Sequence, residues 1–137
     1  MGEPRTLGSP IKWLLLLGVL LVSACDSGIE VHLRVSAVGD DSTAQQSAQI
    51  AAALAARHSL AAHRGSECDL ARYEHSRDVR LLVLCLDQEA QSVSFRLEEF
   101  IWGGDFNPEW SPKGDSLRRE LEDTLRTRFG DRVTRIN

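Results

Sequence analysis

The sequence predicts an α+β domain, a two-layer sandwich with a mainly antiparallel sheet and two helices on one face. Three observations carry that expectation. Residues 29–38 (IEVHLRVSAV) alternate apolar and polar without a fault, as a strand with one wet face does. An alanine-rich stretch after Ser42, and the series Leu117, Leu121, Leu125 and Phe129, recur at helical spacing. Between them lie short apolar runs at 79–86 and 93–97, bounded by polar connections, which suit strands.

In the first strand Ile29, Val31, Leu33, Val35 and Ala37 point one way, and Glu30, His32, Arg34 and Ser36 the other. Gly39-Asp40-Asp41 ends it. Ser42 with Gln45 three residues on reads as a capping box for the first helix. Ile50 and Leu54, flanked by Ala48, Ala51, Ala55 and Ala61, form its buried stripe, and Gly65 is the expected terminator. A short strand follows at 67–74. The next, 79–86 (VRLLVLCL), is apolar on both sides, as an interior strand is. After a polar connection at 88–91, Val93, Phe95 and Leu97 face inward. Phe100, Ile101 and Trp102 break that alternation, which predicts a bulge or a strand end. Residues 103–114 (GGDFNPEWSPKG) read as loop from their Gly and Pro content. The second helix takes Asp115 or Ser116 as its cap, Asp115–Arg119 and Glu122–Arg126 as i,i+4 pairs, and Gly130 as its end. A short strand at 132–136 completes the order β-α-β-β-β-α-β, for which a broadly ferredoxin-like arrangement is economical. If that last strand lies antiparallel beside the first, Arg132 and Arg135 are expected to return toward the start of the domain.

Upstream of the domain, Arg5 and Lys12 precede a greasy core at 13–22 (WLLLLGVLLV), and Ser23-Ala24-Cys25 follow it. Charge, short apolar core and small-residue exit, in that order, make a secretory signal peptide. The apolar run is too short for a span, which needs about 20 residues. At Val22-Ser23-Ala24-Cys25 the chain resembles the lipobox of bacterial lipoproteins. The resemblance implies cleavage before Cys25, a diacylglyceryl thioether on its sulfur and acylation of its new amino group. It places the protein on a bacterial cell membrane, lipid-anchored and facing the periplasm. Asp26 resembles the aspartate that tends to hold enterobacterial lipoproteins in the inner membrane, but inner and outer membrane both stay open. An ordinary signal peptide cut nearby, with Cys25 a plain thiol, is the alternative. One acyl chain binds a bilayer only marginally, whereas two or more, at about 0.8 kcal/mol per buried methylene, hold durably. The expected organisation is a signal peptide at 1–24, the lipidated cysteine with a short tether at 25–28, and one domain at 29–137. Three tether residues reach at most about 10 Å, so the domain is expected close to the headgroups.

Cleavage leaves 113 of the 137 residues, enough for one compact domain. Arg5, Lys12 and Glu3 leave with the signal. Of 16 basic and 20 acidic residues 14 and 19 remain, a net charge near −5 that argues against nucleic acid as a partner. With Cys25 consumed by lipid, Cys68 and Cys85 remain as a disulfide pair in an oxidising compartment. A hairpin turning at Ser76-Arg77 would set them opposite each other, with Leu70 against Val83 and Arg72 against Leu81. Two unpaired buried thiols are the alternative.

No constellation for catalysis is legible. Ser36 and Ser94 lie in alternating strands without a nucleophile elbow, and Asp40-Asp41 and Glu98-Glu99 are neighbours that point apart on a strand. No phosphate loop or paired-histidine helix is present in the sequence, no cofactor is implied, and the chain is expected not to be an enzyme. His58, His63 and His75, with Glu67 and Asp69, form a weak alternative metal or small-ligand segment, at spacings that match no metal pattern. Phe100, Trp102, Phe106 and Trp110 fall within eleven residues. Trp102, Phe106 and Trp110 are candidates to grip another envelope protein or a sugar ring. The alternative is that these rings fold over an open end of the core, which a small domain needs; a third is that the loop dips into a membrane interface. The expected function is thus a small non-enzymatic binding or accessory module on a lipid anchor.

Overall fold

The computed structural model describes residues 26–64, 67–103 and 108–137, so Cys25 and Phe106 lie outside the described residues. Strand β1 spans Asp26–Ser36, helix α1 Thr43–Arg57, β2 Ala61–Ala62, β3 Ala71–Arg77, β4 Arg80–Glu89 and β5 Ser92–Trp102. Helix α2 spans Pro112–Phe129 and β6 Val133–Arg135. Every neighbouring pair of strands is antiparallel, in the order β2-β3-β4-β5-β1-β6. The fold is α+β, as the alternating and helical periods predict. The order does not establish the ferredoxin-like detail. Three meander strands, β3, β4 and β5, stand where a split β-α-β has two, so β1 and β3 run antiparallel.

Alternation decides which face the helices cover. Val31, Leu33 and Val35 of β1, Leu82, Leu84 and Leu86 of β4, and Val93, Phe95 and Leu97 of β5 share one side. They pack with Ala51, Leu54 and Ala55 of α1 and with Leu117, Leu121, Leu125 and Phe129 of α2. Burying each large side chain among these contributes roughly 1.5–3 kcal/mol. Ser47, Ala51 and Ala55 are fully covered, so α1 approaches the sheet on small residues. Ile50, expected in its stripe, is only half-buried.

Several local details differ from the sequence reading, each for a physical reason. Strand β1 begins at Asp26, so residues 26–28 are not a free spacer but pair with β5 in the register Asp26↔Trp102, Ser27↔Ile101 and Gly28↔Phe100. With that support β5 neither bulges nor stops at Phe100. It runs unbroken to Trp102. The entrance to α1 is organised by Asp40 rather than by a capping box. The Ser42 N–H and Oγ both donate to Asp40 Oδ1, at 3.0 and 2.6 Å, and Arg132 Nη1 donates to Oδ2 at 3.1 Å. The hydrogen bonds from Ser42, with Arg132, hold the Asp40 carboxyl below the usual carboxylate range. Helix α1 stops at Arg57, well before Gly65, and Ser59 takes a positive φ of 58° so that Ala61–Ala62 can pair with β3. Helix α2 starts at Pro112 with Ser111 as its cap, not Asp115 or Ser116; Ser111 Oγ accepts from the Gly114 N–H at 3.0 Å. The Asp115–Arg119 pair forms at 2.9 Å, while Glu122 instead meets Arg135 at 3.4 Å.

The β3–β4 hairpin turns at Asp78-Val79, two residues later than expected, because Asp78 accepts a φ of 54°. Arg72, not Cys68, therefore stands opposite Cys85. The two cysteines nevertheless form a disulfide, with Cα atoms 5.6 Å apart, because residues preceding β3 fold back toward the middle of β4. The pairing holds although the register that suggested it does not. Arg132 is also not where a return to the domain's start would put it. Its Nε donates to the Ser36 carbonyl, at the far end of β1, and Arg135 stands opposite Leu33. Ten residue steps along β1 carry the chain roughly 33 Å from Asp26 to Ser36, so Arg132 is remote from the start of that strand.

The disulfide closes a separation of 17 residues. Replacing both cysteines by alanine is expected to lower unfolding stability by about 3 kcal/mol in urea denaturation, with the native far-UV circular dichroism retained.

Candidate functional site

The sheet face left free by the helices carries the residues that could meet a partner. Register aligns Arg72, Cys85, Arg96 and His32 across β3, β4, β5 and β1, and in the next row Glu74, Val83, Glu98 and Glu30. Most of these charges pair among themselves. Arg72 donates through Nε and Nη2 to Glu74 Oε1, at 3.0 and 2.7 Å, and His63 Nδ1 lies 3.2 Å from Glu74 Oε2. Arg96 Nε lies 2.7 Å from Glu98 Oε1, and its Nη2 reaches 3.7 Å from Cys85 Sγ. Cys85 and Val83 are buried on this face although no helix covers it.

Glu98 and Glu30 stand directly opposite each other, a like-charge cross-strand pair. Burial pushes the Glu98 carboxyl above its ordinary value. The charge of Glu30 and a side-chain hydrogen bond to it act in the same sense, against the pull of Arg96 and Arg72. Beside them His32 Nε2 contacts Ser94 Oγ. Histidine next to serine can activate a nucleophile, but Ser94 is only 3% exposed and lies within strand β5. The neighbouring backbone N–H groups are engaged in the ladder and cannot form an oxyanion hole. The contact is a structural hydrogen bond.

Glu99, which alternation places on the helix side of β5, is 2% exposed and joins the sheet to α2. Its Oε1 accepts from the Ser111 N–H and its Oε2 from Ser111 Oγ, both at 2.6 Å, and Arg80 Nη1 lies 3.4 Å away. A Cβ on Gly114 would approach Glu99 Oε1 to 2.9 Å, so glycine is required for this closeness. The sequence reading missed Glu99 as a buried residue. Extending the parity of 93, 95 and 97 by one step would have found it.

The expected histidine segment is dispersed. His58 Nε2 bridges to Glu120 Oε2 at 2.6 Å between the helices, His63 goes to Glu74, and His75 lines a cleft with Arg77, Arg80 and Lys113. Among the described residues no three His, Cys, Asp or Glu groups converge on a common metal position. The aromatic candidates also part company. Trp110 packs against the core, whereas Phe100 and Trp102 remain exposed on the uncovered face. Phe106 lies outside the described residues. Among the described residues no helix is long and apolar enough to cross a membrane. No protein-family model, curated protein or solved structure matches the chain.

The raised carboxyl makes a signed prediction. A folded-state pKa above the unfolded value means that the protonated form is favoured by the fold. That contribution is complete below about pH 4 and is lost as pH rises through the folded value. Glu98→Gln copies the neutral form. At pH 7 it is expected to raise the unfolding free energy measured in urea by up to about 1 kcal/mol, and the gain should fade below about pH 4. A destabilised variant at pH 7 would show that the Arg96 pair outweighs burial.

Proposed function

We propose that the chain is a small lipoprotein of the bacterial cell envelope: exported by residues 1–24, anchored through lipid on Cys25, and facing the periplasm. Its domain is a non-enzymatic binding or accessory module, and another envelope protein is its expected partner class. The observation that carries this reading is continuity along the chain. Arg5 and Lys12, the apolar core at 13–22 and Val22-Ser23-Ala24-Cys25 lead without a spacer into β1, which starts at Asp26. Those features have the order and length of an exported, lipid-modified leader. The Cys68–Cys85 disulfide suits the same oxidising compartment. The self-paired charges of the open face and the buried Ser94 favour a binding role over a catalytic one. A net charge near −5 on the processed chain counts against nucleic acid.

Metabolic labelling with a tagged fatty acid in a bacterial host tests the anchor. The wild-type protein is expected to carry label and to sediment with membranes, and Cys25→Ser to lose the label. An unlabelled wild-type protein, recovered in the soluble periplasmic fraction, would refute the reading.

A further inference from the structure

Five large apolar side chains are exposed among the described residues: Val38, Val79, Phe100, Trp102 and Ile136. Three of them share one corner. Phe100 and Trp102 lie two residues apart on the same face of β5. Val79 extends the β4–β5 ladder beside Trp102, whose N–H donates to the Val79 carbonyl at 2.9 Å. Leu81 stands opposite Phe100 one step further in. Glycine at position 28 leaves this corner open on the β1 side. A Cβ there would lie 3.6 Å from Phe100 Cδ1, so the ring rests against the glycine backbone. At 37% exposure for Phe100, 45% for Trp102 and 52% for Val79, the corner is an apolar patch that the domain's own core does not cover.

The position of the corner says what covers it. Asp26 pairs with Trp102, and Cys25 is the residue before Asp26, about 3.8 Å away along the backbone. The described chain thus begins at the patch, one residue after Cys25, whose sulfur is the proposed site of the lipid. Basic groups lie at the same end of the sheet but on its helix side, where Arg77, Arg80 and Lys113 line a cleft. Among the described residues Asp78 and Glu109 are exposed acids beside them, and Arg80 is partly engaged by the Glu109 carbonyl at 3.0 Å and by Glu99. Tryptophan and phenylalanine on one face of a sheet end, with arginine and lysine at the same level on the other, suit an end that sits at headgroup level.

We infer that Val79, Phe100 and Trp102 form a bilayer-contact surface, which seats this end of the sheet in the interface of the membrane that holds Cys25. This rests on the lipid anchor proposed above and adds an orientation to it. The sheet stands end-on, with β1 rising from the lipid and the α1 entrance at Asp40 and Arg132 facing away.

The full lipidated protein in vesicles of phosphatidylcholine and phosphatidylglycerol, with bromine on the upper acyl chain, tests it. In Trp110→Phe the processed chain keeps Trp102 as its lone tryptophan. Its emission is expected to fall roughly twofold against unbrominated vesicles and to shift to the blue. In Trp102→Phe, the remaining Trp110 should be quenched far less, because it packs on the core. Mass spectrometry of the same samples separates the two claims. Lipid on Cys25 with Trp102 unquenched and unshifted overturns the contact surface alone. A bare Cys25 overturns the anchor, and the surface with it.

Discussion

The constraint on which the rest depends is that β1 starts one residue after Cys25 and is held at once by β5. Pairing from Asp26↔Trp102 to Ser36↔Ser92 makes β1 an interior strand over its whole length on the β5 side. A strand so fixed cannot act as a flexible leash. Whatever is attached to the sulfur of Cys25 is therefore attached, through one peptide unit, to the central part of the fold. A lipid there would orient the domain as well as retain it.

The same end of the molecule is stiffened from the helix side. Glu99 is a buried acid in a strand position where a hydrophobic residue is usual, and its two hydrogen bonds from Ser111 fasten the start of α2 to the end of β5. A carboxylate near a helix N-terminus is favoured by the unpaired N–H groups and by the helix dipole. Removing one partner would leave an uncompensated buried group, which typically costs 1–3 kcal/mol or more. The chemistry of β5 is thus inverted over its last residues. The acid points in, and Phe100 and Trp102 point out. Both halves of the inversion have a place in the account, Glu99 in fixing α2 and the aromatics in meeting a surface.

How far the sequence was legible follows from where its signals are local. The period-2 pattern of β1 and β5 and the fourfold leucine series of α2 depend on one chain segment each, and they led to the correct elements and core face. Register does not have that property. The polar run at 75–78 centres a turn on Ser76-Arg77, and only Asp78 accepting a left-handed backbone carries it on to Asp78-Val79. Caps failed for a similar reason. Asp40 and Ser111 are chosen by Arg132 and Glu99, partners 92 and 12 residues away, which no local motif records. At the candidate surface, the aromatic cluster was visible as composition. Its division into a core Trp110 and an exposed Trp102 required the tertiary fold.

On the function proposed above, what matters is attachment and surface. Arg72–Glu74 and Arg96–Glu98 pair on the open face, and the apolar corner lies at the end nearest the proposed lipid. The claim beneath all of this is chemical modification of a single sulfur. Mass analysis of the N-terminal peptide from membrane-extracted protein tests it most directly. The account predicts a chain beginning at Cys25 with its mass raised by a diacylglyceryl group. A chain that begins elsewhere, or a Cys25 carrying an unmodified thiol, would contradict it.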